Sequence, residues 1–287
     1  MSLDNLQTLD ARLAAAEAQV PDLRHDVHKR VVWNGEAGVN TPVAVVYIHG
    51  FSATSEETRP FADDLAKGLG ANLYFNRLTG HGRDGAAMGQ ATFKDWRADA
   101  LEAVQIGRTL GDKVVVVGCS MGAPLVVDAL GHSVDQIAAA IFISPNFGIA
   151  SRLLTFILNL PGVKKWGPYV FGKTRSFQPL SEDHATYWTT SYPSVAGFTM
   201  NDAVKAGDEV DVSKLTVPAA FIYSPNDSVI APPKIVTMME NWGGVTGALE
   251  MPNGQDPNGH LIIGRIRNPD QTPQATAFAL QFCQKHL

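Results

Sequence analysis

Compact apolar runs alternate along this chain with longer segments whose apolar residues recur every three or four positions, the pattern of parallel strands joined by crossover helices. Residues 41–48 (TPVAVVYI) are β-branched and uncharged, which suits a strand covered on both faces, where no polar alternation is needed. Residues 71–76 and 114–117 read the same way, and further strands are expected at 138–144, 217–223 and 246–251. Between them, Pro60 suits a first helical turn, and Phe61, Leu65 and Leu69 then repeat on one face. Phe93, Trp96, Ala100 and Val104 repeat likewise. Lys94, Asp95, Arg97, Asp99 and Glu102 fill most of the remaining positions, so this helix lies on a sheet with its far side wet. An Ala-rich helix is expected over 9–20 and a closing helix over 272–286. The expected fold class is α/β, a mostly parallel sheet with helices on both faces.

One stretch breaks the alternation. Residues 147–200 show no clean strand pattern, yet hold 10 of the 24 aromatic residues and only 7 of the Asp, Glu, Lys and Arg residues. A segment this apolar has to cover something, and a lid over a cleft is the simplest arrangement. The chain is thus expected to divide into a core built from 1–146 and 208–287, split by an inserted cap at 147–207.

With 287 residues, 45% hydrophobic and 18% charged, the chain can bury one large core. A formal net charge of −5 leaves no broad basic surface for a phosphate backbone, so nucleic acid is not an expected partner. Its longest apolar stretches fall far short of the roughly 20 residues that span a bilayer. Asp4, Asp10, Glu17, Asp22 and Asp26 leave no apolar signal region near the start. Cys119 and Cys283, far apart in sequence, read as two packed free thiols. The expectation is a cytoplasmic protein with no stable membrane insertion; a homodimer is compatible with the sequence and not required by it.

The candidate chemistry begins where the valines at 114–117 run into Gly118-Cys119-Ser120-Met121-Gly122, followed by a helix-compatible stretch with Pro124 in its first turn. Strand, tight turn and helix around G-x-S-x-G present a strained serine nucleophile, with glycines where side chains would strike neighbouring backbone. A serine hydroxyl is a weak nucleophile until a base takes its proton, so an acid and a histidine are required later in the chain. Asp227 closes the strand-to-turn sequence 221–227 (FIYSPND), at the carboxyl edge of the sheet where such sites form. His260 lies in a loop after the last expected strand. Of the 8 histidines it alone is both downstream of Asp227 and clear of the final helix, which holds His286. Oxyanion donors are read as the backbone N–H of Met121, after the nucleophile, and of Phe51, in the loop His49-Gly50-Phe51-Ser52 after the first strand. His49 reads as an anchor of that loop and not as a second base.

In order along the chain, His49-Gly50-Phe51, Gly80-His81-Gly82, Asp95-Trp96, Gly118 to Gly122, Asp227 and His260 resemble the α/β-hydrolase family, and within it the lid-bearing bacterial carboxylesterases and monoacylglycerol lipases. The resemblance covers nearly the whole chain. It implies a mostly parallel eight-stranded sheet, a cap inserted after the sixth strand, and ester hydrolysis through an acyl-enzyme. Under it Ser120 is the nucleophile, His260 the base, Asp227 its orienting acid, and Phe51 and Met121 the oxyanion donors. The oxyanion loop departs from the HGGG type in having one glycine after its histidine. The expected partner is a small-molecule ester, monoacylglycerols being among the candidates, and the aromatic cap favours an apolar acyl or aromatic group. Trp166, Tyr169, Phe171 and Trp188 are the candidate substrate contacts. Thioester hydrolysis, C–C bond hydrolysis and acyl transfer use the same machinery.

Two other classes stand beside this one. Gly80-His81-Gly82-Arg83-Asp84-Gly85 satisfies G-x-G-x-x-G after a strand, which raises a dinucleotide-binding oxidoreductase. That motif has to open a helix, whereas the helical pattern begins only near Phe93, so no nicotinamide or other cofactor is expected. A catalytically silent hydrolase fold used for binding is the other class, and the ordered Ser, Asp and His speak against it. His25 and His28 have only Asp26 as a nearby carboxylate, so no metal site is expected either.

Overall fold

Val114 to Val117 are almost wholly excluded from solvent at the centre of a sheet in the computed structural model of the protein, which describes residues 6–132 and 137–287; the Phe171 side chain also lies outside the described residues. The first half of the chain runs α1 (Leu9–Glu17), β1 (Arg30–Val32), β2 (Thr41–Ile48), α2 (Phe61–Leu69), β3 (Asn72–Phe75), α3 (Gly85–Gln90), α4 (Phe93–Leu110), β4 (Gly111–Cys119), α5 (Gly122–His132) and β5 (Ile137–Ile143). A long connection then carries α6 (Arg152–Leu158), α7 (Val163–Phe171), β6 (Thr174–Ser176), α8 (Glu182–Tyr187), β7 (Ser191–Pro193) and α9 (Val195–Asp208). The chain re-enters the sheet as β8 (Ala219–Tyr223), followed by α10 (Pro232–Asn241), β9 (Thr246–Glu250) and α11 (Thr272–His286).

The main sheet is ordered β1-β3-β2-β4-β5-β8-β9. All its pairs are parallel except β1 with β3. Side chains alternate between the two faces of a strand, and here both faces are covered. Val46, Val116, Phe142 and Phe221 pack with residues of α4, α5 and α10. Tyr47, Val117, Ile141 and Ile222 pack with residues of α2 and α11. This double cover is why the central strands carry uninterrupted apolar runs. α4 is started by a reciprocal cap, in which the Thr92 side chain accepts from Asp95 N–H and the Asp95 carboxylate accepts from Thr92 N–H.

Two expectations are corrected. Seven strands form this sheet among the described residues, not eight. The edge beyond β3 is completed by β1 alone, three partly exposed residues beginning with Arg30 that make no apolar run. Gly85 also opens a helix after all, the six-residue α3, because the Asp84 side chain accepts from Ala87 N–H and caps it. The glycine of that turn serves packing: a Cβ on Gly85 would run into the Ser191 carbonyl oxygen of β7.

The chain leaves β2 for β3 on one side and returns to β4 on the other, so the connections that leave the paired carboxyl ends of β2 and β4 run to opposite sides. Open α/β sheets form their binding crevices at such a reversal, and the loops after these two strands hold Phe51 and Ser120.

Candidate active site

Ser120 follows the last residue of β4 with φ +48, a left-handed conformation that costs a non-glycine residue energy and is held by its surroundings. Its N–H donates to Ile143 of the neighbouring strand at 2.9 Å, and its carbonyl accepts from Ala123 and Asn146 N–H at 3.1 and 3.0 Å. The turn is tight enough that a Cβ on Gly122 would strike the Ile48 carbonyl, and one on Gly118 would lie 2.9 Å from Ala123 Cα.

Asp227 and His260 arrive from the far side of the sheet. Asp227 sits in the turn after β8, where its Oδ1 accepts from Val229 and Ile230 N–H at 2.8 and 3.1 Å. Its Oδ2 lies 2.7 Å from His260 Nδ1. A carboxylate offers only acceptors, so Nδ1 carries the proton and Nε2 is left as an acceptor. Nε2 lies 2.9 Å from Ser120 Oγ. The His260 backbone is held at both ends, its N–H donating to Asp256 Oδ2 at 2.8 Å and its carbonyl accepting from Ser144 Oγ at 2.6 Å. Burial works against the charged imidazolium. The Asp227 hydrogen bond and the charges of Asp227, Asp256 and Glu57 outweigh it and raise His260 above its ordinary value.

The loop after β2 is anchored by two buried imidazoles. His49 donates from Nδ1 to the Gly50 carbonyl at 2.9 Å and accepts at Nε2 from Leu78 N–H at 3.0 Å. His81 accepts at Nε2 from Ser52 N–H at 3.1 Å. Burial lowers His49 to about 4 and His81 well below its ordinary value, so both are neutral struts, as the sequence suggested for His49. Beneath the loop, Glu57 Oε1 accepts from Gly50 N–H at 2.6 Å and from the Tyr47 hydroxyl at 2.9 Å. The N–H groups of Phe51 and Met121 donate to no acceptor among the described residues. The Phe51 ring is wedged edge-on against Tyr192 of β7, with ring centroids 5.1 Å apart.

Ser120 and His260 open into a cavity of about 350 Å³ shared with Phe51, Trp188, Tyr192 and Asn146. Leu180 and Val229 line it and remain about half exposed, marking its mouth. Of the four aromatic contacts expected from the sequence, the structure brings Trp188 to this cavity. Trp166 and Tyr169 do not line it. Both lie on α7, where Trp166 donates to Pro161 and Tyr169 is 80% exposed beneath Lys173. Phe171 falls outside the described residues. Composition alone could not say which face of α7 turns inward. Phe177, Tyr192, Asn146 and Met200, which do line the cavity, were not singled out, because only the return of the chain brings them there. The connection is tied to the loop after β2 by Thr189 N–H, which donates to the Ser52 carbonyl at 2.7 Å.

A parallel sheet wrapped by helices, with a serine at a strand-to-helix turn facing a histidine and an aspartate on later loops, defines an α/β-hydrolase. The family model described as serine aminopeptidase, S33 (Hydrolase_4) matches residues 40–254, and the chain belongs to that family. That family is one of hydrolases. The thermostable monoacylglycerol lipase of Bacillus sp. (strain H-257) is 35% identical over 96 residues, a match spanning 33% of this chain and only 38% of that enzyme. Among solved structures, one described under LipS and LipT, two metagenome-derived lipolytic enzymes, superposes with a TM-score of 0.75 at 20% identity, covering 92% of this chain and all of that one. A soluble variant of monoglyceride lipase from Saccharomyces cerevisiae gives 0.67 at 14% identity, covering 90% of this chain and 91% of that one. At these identities the two structures establish a shared fold. No helix among the described residues is long and apolar enough to cross a membrane.

Proposed function

We propose that this hydrolase cleaves carboxylic esters with an apolar acyl or aromatic group, monoacylglycerols among the candidates, through an acyl-enzyme on Ser120. The observation that carries the reading is the continuous chain from Ser120 Oγ to His260 Nε2, 2.9 Å, and from His260 Nδ1 to Asp227 Oδ2, 2.7 Å, opening into an aromatic cavity. Ser120 Oγ attacks the ester carbonyl carbon while His260 Nε2 takes its proton. The oxyanion is met by the N–H groups of Phe51 and Met121. The C–O bond breaks and the alcohol leaves with the proton that His260 returns. Water then adds to the acyl carbon, losing a proton to His260, and the acid departs as that proton goes back to Ser120. Residues 147–207 act as a cap whose rings set the acyl pocket.

Ester cleavage is favoured over removal of an amino-terminal residue by the charge of the cavity. A substrate ammonium group needs an unengaged carboxylate. Asp256 is the carboxylate among the lining residues; its Oδ2 already accepts from His260 and Leu261 N–H at 2.8 Å each, and its Oδ1 accepts from Asn258 N–H at 3.4 Å and lies 3.8 Å from Arg267. The test is hydrolysis of a nitrophenyl ester series. Wild type turns over medium-chain esters, and Ser120→Ala lowers kcat on the order of 10⁶-fold. Activity surviving in that variant overturns the assignment.

A further inference from the structure

Asn146 is one of the polar groups lining this cavity that the reaction scheme leaves without work. It follows β5 after Ser144 and Pro145, and its N–H donates to the Ser120 carbonyl at 3.0 Å, so its position is fixed relative to the nucleophile. Its side chain is 3% exposed and lines the cavity that holds Ser120 and His260. Nδ2 reaches only the Met200 sulfur of α9, at 3.8 Å, and Oδ1 has no hydrogen-bond partner among the described residues. A thioether is a weak acceptor, so the amide is close to unsatisfied at both ends. Buried polar groups in folded proteins are nearly always paired. Oδ1 has almost no accessible surface in this arrangement, and a turn about the Cβ–Cγ bond is what lets this unpaired amide meet whatever enters the cavity that its residue lines.

We propose that Asn146 reads a hydroxyl group on the ester, which makes hydroxylated carboxylic esters the preferred substrates of this site. This rests on the ester-hydrolase reading above and narrows it. A hydroxyl is chosen by the donor and acceptor inventory. The free atom, Oδ1, accepts, so its partner must donate. If the amide turns over and presents its NH₂, the partner must accept, and a hydroxyl serves either way. A carboxylate only accepts and an ammonium only donates. The neighbouring Asp256 is committed to backbone N–H groups and offers no balance for a substrate charge. Apolar Ile149, Met200 and Phe51 also line the cavity, so Asn146 supplies polar discrimination against a largely apolar background, the usual division of labour in such sites.

The hydroxyl can sit on the alcohol or on the acyl side, and two matched pairs separate these sources. One pair is 1-decanoylglycerol against propyl decanoate. The other is a nitrophenyl 6-hydroxyhexanoate against nitrophenyl hexanoate. In wild type, kcat/KM favours the hydroxylated member of one pair by roughly tenfold to a hundredfold, the span expected when a buried partner is otherwise left unpaired. In Asn146→Leu, which keeps the bulk and removes the polarity, that ratio falls to about one. Asn146→Ala is measured alongside, so that a packing fault in one variant does not decide the matter. The melting temperature of Asn146→Leu is expected at or above that of wild type, since an unpaired buried amide is removed. Absence of any hydroxyl preference in wild type, or the same preference in the folded variants, overturns the role of Asn146 while ester hydrolysis stands. No hydrolysis of any of the four esters by wild type overturns the ester reading and this proposal with it.

Discussion

The backbone N–H of Gly50 donates to Oε1 of Glu57 across 2.6 Å, within a site sealed from solvent directly behind the candidate nucleophile. The other Glu57 oxygen is near enough that a Cβ on Gly50 would lie 2.9 Å from it and 3.0 Å from the Ser120 Cβ. One buried carboxyl thus holds the loop that carries Phe51 and backs the turn that carries Ser120.

Burial raises Glu57 to about 7, against hydrogen bonds from Gly50 and Tyr47 that favour its charged form. Its folded value lies above the unfolded value of 4.5. Its contribution to stability is therefore complete below about 4.5 and is lost as pH rises through about 7, a change on the order of 3 kcal/mol. Glu57→Gln keeps an acceptor for Gly50 and cannot ionise. Thermal unfolding should show the variant gaining several degrees on wild type between pH 5 and pH 8. An unchanged difference between the two would mean that Glu57 does not titrate there.

His260 is raised above its ordinary value of 6.5, Asp227, Asp256 and Glu57 outweighing its burial. The base must be neutral to accept from Ser120, so kcat/KM for an ester should climb with pH through a midpoint above 6.5. Asp256→Asn keeps an oxygen for His260 N–H and removes a charge, and should move that midpoint to lower pH. Asp227→Asn puts an amide where Nδ1–H needs an acceptor, and should lower kcat on the order of 10⁴-fold. A pH profile indifferent to Asp256→Asn would show that its part is confined to holding the loop.

Gly85 meets the Ser191 carbonyl of β7, and Gly197, in α9, has open space where a Cβ would go. Gly85→Ala must push β7 away, carrying Tyr192 and the cavity wall with it. It should cost about 1–3 kcal/mol and raise KM for long-chain esters. Gly197→Ala meets nothing and gains helix propensity, so it should stabilise by roughly 0.5–1 kcal/mol with KM unchanged. Denaturant melts and ester kinetics on the pair check this, and equal behaviour of the two would count against β7 as a wall of the cavity.

The strands were legible because a strand buried on both faces has no room for charge. Thr41–Ile48 was read with its observed bounds, and 114–117 lies inside the longer β4. β1 was not legible, since three partly exposed residues starting with Arg30 look like loop and owe their pairing to β3. α3 was hidden by its short length and its glycines, although Asp84 is a capping residue by type. At the candidate site, Ser120, Asp227 and His260 are legible because each sits at a turn whose chemistry marks it, and the structure brings the three within hydrogen-bond reach. Asn146 and Tyr192 matter through neighbours 26 and 141 positions away, Ser120 and Phe51, and nothing local to them announces it.

The central claim, a nucleophile at Ser120 activated by His260, is tested most directly by intact-mass and peptide mapping after treatment with an alkyl fluorophosphonate. The expected result is one adduct per chain, on Ser120, absent in Ser120→Ala and formed far more slowly in His260→Ala. Label on another residue, or equal labelling of the His260→Ala chain, would contradict it.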